Sequence, residues 1–257
     1  MQLHHIKLTK EQLDSIPEVE RTLLVLLAHA ANELSVLGKV FHFAIKDPGD
    51  DPVLIEARNA QALTFGRILS GKIFECWQLL RRAFFQTQLS REYEVLFDDQ
   101  SRAALSALKK YFGKQNIIEK VRNKFAFHYA PDQNAPGYAT LGEGDVLDIY
   151  LAQKNANTLY VFAETIAGRA LMECIDPIDH SRSIAALIDE TSAAIRWLDE
   201  VIAACMLTCL NRYVGGDLYT LGANVVEVVG APDSQDVAIP YFIEVKSEVF
   251  NGNAGAA

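Results

Sequence analysis

The chain has 257 residues, half of them hydrophobic and 22% charged, with a formal net charge of −9. That is long enough for one large domain or two modest ones, and too apolar for a disordered polymer. The acidic balance excludes a protein that coats nucleic acid with its whole surface, but it leaves room for a local basic groove.

The opening MQLHHIKLTK lacks the apolar run of a signal peptide, and no stretch reads as long enough to span a membrane. The expected setting is therefore cytoplasmic, with reduced thiols and no membrane partner. Cys76, Cys174, Cys205 and Cys209 form no C-x-x-C. Cys205 and Cys209, four apart, would share a helix face as small buried hydrophobes.

Thr9 with Gln12 has capping-box spacing for a short first helix, and Pro17 suits the first turn of a second. From Val19 to about Ile45, leucines and valines recur at three- and four-residue steps, which predicts an amphipathic helix. KDPGDDP then breaks it. A long helical pattern follows from about Leu54 to Leu89. The next starts at the cap-like DDQS (Asp98 to Ser101), runs to Phe112 and stops at Gly113. KQNIIEKVRNKFAFHY is again helical in period, and APDQNAPG is a loop.

Residues 145–162 read equally as a hairpin or as a broken helix. Helix returns around Glu164–Cys174 and from Asp179 to Tyr213, before NVVEVVG and YFIEVKSEVF turn β-like. The expected architecture is mainly α, an up-and-down multi-helix bundle over 1–213. A C-terminal extension over 214–257 would be partly β or irregular.

Several short motifs lose their chemistry on inspection. GRILSGKI has the glycine and lysine spacing of a phosphate-binding loop, but Ile73 stands where a hydroxyl residue should hold the metal. A helix with two small residues, Gly66 and Gly71, where a neighbour packs closely, fits better. His29 and Glu33 are four apart and could share a metal, yet no second pair completes such a site. There is no G-x-S-x-G nucleophile. No metal and no cofactor are expected.

VRNKFAFHYA (Val121 to Ala130) carries the strongest signal. Between 109 and 124, six basic residues face the single acid Glu119, so this stretch is five positive within an acidic protein. Such a patch is the footprint of a phosphate-bearing partner. A guanidinium grips phosphate with two prongs, an imidazole moves protons near neutral pH, and a neighbouring amide orients either group. On a straight helix Arg122 and His128 lie about 120° and ~9 Å apart, so they could meet only across a groove or through a second copy. The same wheel puts His128 on the apolar stripe of Ile118, Val121 and Phe125, where it would be a core-edge histidine. Glu75, mid-helix among apolar residues, could hold Arg122 in place or simply face solvent.

RNKFAFH resembles the R-x(4–6)-H signature of the HEPN superfamily, with Asn123 as the polar residue that commonly follows the arginine. The resemblance covers residues 122–128 in motif and about 20–212 in architecture. It implies an all-helical bundle that dimerises so that two motifs line one cleft. It also implies metal-independent RNA cleavage of the kind found in toxin–antitoxin and antiviral systems. Carried across, Arg122 would stabilise the scissile phosphate, His128 would act as general base or acid, and Asn123 would assist positioning. Lys120, Lys124 and Tyr129 would flank the RNA. Expected partners are RNA, a second copy of the chain, and an antitoxin or nucleotidyltransferase protein. The alternative is a HEPN-like module without catalysis, binding a nucleotide, RNA or a partner protein.

Overall fold

The computed structural model describes residues 1–127, 129, 132–215 and 224–244. They form a mainly helical bundle with a small two-stranded sheet. Helix α1 (Lys10–Asp14) has the reciprocal Thr9–Gln12 capping box. Helix α2 (Glu18–Ala44) follows Pro17, which stands one residue before the helix rather than inside its first turn. The KDPGDDP break turns at Gly49, whose φ of +85° suits glycine. Asp51 then caps helix α3 (Pro52–Leu80) by accepting from the Val53 amide at 2.8 Å.

Helix α3 is shorter than the sequence pattern. It passes into a π-helical stretch, Arg81–Phe85, and Thr87 starts a separate helix α4 (Gln88–Tyr93). Helix α5 (Asp99–Phe112) is capped by Asp98 and ends at Gly113. Helix α6 (Ile117–Val121) continues as a second π-helical stretch, Arg122–Ala126. After α7 (Ala135–Ala139), the ambiguous segment forms a hairpin-like bridge between Tyr150 and Leu159. Helices α8 (Val161–Ile175) and α9 (His180–Tyr213) complete the bundle.

The main core lies among α2, α3, α5 and α9 and includes the fully buried Leu27, Ile73, Leu108 and Leu198. Cys76, Cys205 and Cys209 are buried within it, as their apolar setting predicts. Burial pushes the Cys76 and Cys205 thiols up to about 12. A smaller cluster, Val121, Phe125, Ala170, Leu171 and Leu187, clamps α6 onto α8 and α9. Burying Val121 and Phe125 stabilises by roughly 1.5–3 kcal/mol each, which is what holds a helix too short to form alone.

Strand β1 (Gln2–His5) pairs antiparallel with β2 (Asn224–Glu227), so the C-terminal extension shares its sheet with the first residues of the chain. His4 and His5 belong to that exposed ribbon. Lys46 donates to the Val237 carbonyl at 2.8 Å, and Tyr241 and Phe242 pack beside Ala57 and Leu159, which ties residues 237–242 to the bundle. Most of YFIEVKSEVF lies outside the described residues; its first four, 241–244, are not strand.

One sequence expectation needs correction: α2 has both the length and the mean hydropathy (1.4) of a membrane span. Its Leu, Val and Ala content produces that value. One face, including Leu23, Leu27, Leu34 and Phe41, is buried in the bundle, while Val19, Val25, Leu26 and Val36 face outward.

Candidate functional site

Arg122 stands at the junction between α6 and its π-helical continuation. Asn116 caps α6 by accepting from the Glu119 amide at 2.8 Å. Glu190 of α9 accepts from the Ile117 amide at 3.3 Å and from the Tyr111 hydroxyl. Two free amides of the first turn are thereby satisfied, and the helix start is fixed to α9. Burial and the Glu190 carboxylate together push the Tyr111 phenol well above its usual value.

The other end of the segment is fixed against α3. A methyl group added at Gly71 would lie 2.7 Å from Phe127 Cζ and 3.3 Å from Ala126 Cβ, so glycine here makes room for the Phe127 ring against α3. Gly66 similarly leaves room for the Phe41 ring, 3.2 Å from where a Cβ would stand. The two small residues of GRILSGKI are thus packing positions on a helix. Because Gly71 meets Phe127 while Glu75 meets Arg122, α6 and its continuation run antiparallel to α3.

The Arg122 guanidinium is oriented on three sides. Nη2 donates to Glu75 Oε1 at 2.8 Å, Nη1 donates to Asn123 Oδ1 at 3.1 Å, and the group lies 5.3 Å above the Phe74 ring. Nε is buried and has no hydrogen-bond partner among the described residues. Glu75 thus has the contact that its mid-helix position made conceivable.

Beneath the guanidinium runs a chain of rings. Phe74 meets Phe112 edge-on, Phe112 stacks on Trp77 at 4.8 Å, and Trp77 leans on Phe85 at 5.4 Å. Lys109 lies over Phe85 at 4.8 Å and bonds to Glu94 at 2.9 Å. Two of the cations counted in the sequence therefore stand at opposite ends of one aromatic ridge, each with a carboxylate.

A line of alternating charge leads away from Arg122. On α3, Lys72 is one turn from Glu75 and donates to Glu33 of α2 at 2.6 Å. Glu33 in turn lies 3.9 Å from the exposed His29 ring. The His29–Glu33 pair thus leads into an ion-pair strip, and no group of three metal-binding side chains occurs among the described residues. In the sequence Glu33 stood out only as a possible metal partner of His29, Lys72 only within GRILSGKI, and Phe74 only as an apolar residue of the long helix; their place beside Arg122 is new.

Arg122 and Asn123 are together. Asn123 and Lys124 are exposed on the π-helical stretch, Lys120 is half-buried on α6, and Tyr129 is fully exposed. His128 lies outside the described residues. The regular helix on which its position was expected stops earlier, because residues 122–126 close i→i+5 bonds and Phe127 leaves helical geometry at φ −135°. A straight wheel with 3.6 residues per turn therefore applies only as far as Val121. The apolar stripe holds as far as it is helical, with Ile118, Val121 and Phe125 all buried.

The chain matches no protein-family model, no curated protein and no solved structure.

Proposed function

We propose that the chain is a metal-independent endoribonuclease of the HEPN type, acting in the cytoplasm as a toxin or antiphage effector from a cleft between two copies. The observation that carries this reading is the state of Arg122. A guanidinium grips an anion through its Nε and Nη2 edge, and here Glu75 occupies Nη2 while Nε has no partner among the described residues. Phe74 and Asn123 hold the plane of the group, so a phosphate that displaces the half-exposed Glu75 carboxylate from Nη2 meets a guanidinium already oriented, and must also open the buried Nε to engage both prongs. Lys120 and Lys124 on the same segment, with Tyr129 beyond it, extend the contact along an RNA strand.

In this reading the ribose 2′-hydroxyl attacks the adjacent phosphorus and the bond to the 5′-oxygen breaks. A 2′,3′-cyclic phosphate and a 5′-hydroxyl result. His128 takes or returns the proton, and Arg122 stabilises the charge that grows on the phosphoryl oxygens. Purified protein should cut RNA in the presence of a chelator and leave cyclic ends. His128→Ala should lower the rate by about 10²–10⁴-fold. Activity that requires magnesium, or that survives His128→Ala, overturns the proposal. A solution mass equal to one chain would remove the shared cleft.

A second reading rests on the carboxylates. Glu75 and Glu94 already answer Arg122 and Lys109, so the strip is less cationic than its sequence. That favours a non-catalytic helical module that binds a nucleotide, RNA or a protein such as an antitoxin or nucleotidyltransferase. Overexpression separates the two. An active ribonuclease arrests growth and Arg122→Ala relieves the arrest, whereas a binding module leaves growth unchanged in both forms.

A further inference from the structure

On the far side of the α6 clamp, the C-terminal end of α2 and helices α3, α8 and α9 enclose a cleft of about 450 Å³. That volume is within the range of small-molecule sites, which run from roughly 300 to 1,000 Å³. Its walls are mostly aliphatic. Leu63, Met172, Ile175 and Ile188 line it and remain only half-buried, and Ile184 is 44% exposed. The helices that carry them are otherwise closely packed. At Gly168 an added Cβ would fall 2.8 Å from Leu63 Cδ1, so the cleft is bounded by a tight seam and is not a general looseness between helices.

The polar groups of the cleft are unequal in charge. Glu56 and Glu164 line it. Arg169 also lines it, but both its Nη groups are held by Asp145 at 2.8 Å, and His180 is held by Glu173 at 3.2 Å. Glu164 is held more loosely. Its Oε2 is buried and accepts no hydrogen bond among the described residues; it is only ion-paired, at 3.6 Å, with Arg67 Nη2, which donates to Thr64 at 3.2 Å. A buried carboxylate oxygen without a donor is unfavourable, and a ligand that supplies one gains accordingly.

We propose that this cleft binds a small amphipathic cation, with an aliphatic or aromatic body against Leu63, Met172 and Ile188 and a protonated amine donating to Glu164 Oε2. The site is separate from Arg122 and its ion pair and does not depend on the activity proposed for them. Its floor nevertheless shares Leu63, Leu171 and Leu187 with the cluster that buries Val121 and Phe125.

Matched probes test it: 4-phenylbutylamine, 4-phenylbutanol and 4-phenylbutyrate, titrated by calorimetry and by ligand-observed NMR. The amine should bind about tenfold or more tightly than the alcohol, and the carboxylate weakest, because a hydrogen bond to a charged group contributes about that factor. Glu164→Gln should remove the preference for the amine while leaving the alcohol's affinity within about twofold, since the apolar walls are untouched. Ile184→Trp, placed at an exposed wall position, should abolish binding of all three. Ala62→Phe repeats that test from α3 should the tryptophan variant not fold. Absence of amine binding, equal affinity for the three head groups, or a preference that persists in Glu164→Gln overturns the proposal.

Discussion

Glu75 and Arg122 are joined by a 2.8 Å hydrogen-bonded ion pair between α3 and α6, across 47 residues of sequence. Both side chains are partly exposed, so the pair contributes little to stability, by about 0.2–1 kcal/mol at most. Its effect falls instead on what Arg122 can offer to another anion. Glu75→Gln should raise the affinity for single-stranded RNA by about two- to fivefold at low salt, the factor that corresponds to losing one exposed competitor. Fluorescence anisotropy with a labelled oligonucleotide measures this. Weaker binding in the variant would mean that the carboxylate positions the guanidinium and does not compete for it.

Gly71 allows stability and site geometry to be separated. Glycine to alanine inside a helix gains about 1 kcal/mol of helix propensity. The new methyl would meet Phe127 Cζ at 2.7 Å, but that ring is half-exposed and can swing away. Gly71→Ala should therefore leave the melting temperature within a few degrees of wild type (about 1 kcal/mol or less in total) while displacing Phe127 and lowering RNA cleavage. Gly137→Ala is the contrasting case. Its Cβ would lie 2.6 Å from the Ala170 backbone nitrogen, where nothing can move aside, and it should destabilise by about 1–3 kcal/mol.

The helices were readable because their apolar period and their caps agree. Thr9 with Gln12, the KDPGDDP break and Asp98 with Gly113 each mark an observed boundary. The two π-helical stretches were not readable, because RRAFF and RNKFA carry the same residues that an α-helix would. That difference matters most at Arg122, where it invalidates a wheel drawn with 3.6 residues per turn. Strand β1 was missed because QLHH has no β-branched residue; its partner lies more than two hundred residues away and supplies the pattern. The candidate site shows the same division. Arg122 and Asn123 were visible as a motif and Gly71 as a close-packing position, whereas the neighbour that Gly71 admits, Phe127, and the place of Phe74 under Arg122 became visible only once α3 lay beside α6. The cleft at Glu164 is built from four helices, and no single segment announces it.

The start of α6 gives a prediction about how the motif is held. Asn116 caps the helix and Glu190 takes the Ile117 amide, so Arg122 is anchored one turn downstream of two polar contacts. Asn116→Ala should cost about 1 kcal/mol, the usual value for a lost N-cap. Asn116→Asp should restore it only in part, because the carboxylate accepts the same amide and suits the helix N-terminus but cannot donate to the Lys114 carbonyl as the Asn116 amide does at 3.0 Å. Urea midpoints check both variants. If Asn116→Ala is neutral, Glu190 alone fixes the helix and Glu190→Ala should then show the loss.

Glu20 of α2 is buried and accepts from two phenols, Tyr93 of α4 and Tyr213 at the end of α9, the second at 2.5 Å. Burial first, then the hydrogen bond to Glu20, pushes the Tyr93 hydroxyl far above its ordinary value. The Glu20 bond, then burial, lifts Tyr213 to about 12. An unfolded tyrosine releases its proton at a pH of about 10, whereas these two keep theirs in the fold. Above that pH the folded state therefore binds more protons than the unfolded state, and stability falls as pH rises. The contribution is complete below about pH 10 and is lost progressively through 12 and beyond. Urea midpoints should begin to fall above about pH 8.5, where the buried Cys76 and Cys205 thiols stay protonated while the unfolded chain's thiols ionise, and should decline more steeply above about pH 10 as the two phenols add to that slope. Tyr93→Phe should cost about 1–3 kcal/mol at neutral pH, because one Glu20 oxygen loses its donor inside the core. The same variant should show a shallower alkaline decline, since the more strongly shifted of the two phenols is gone. An alkaline slope that Tyr93→Phe leaves unchanged would place the titration elsewhere in the molecule.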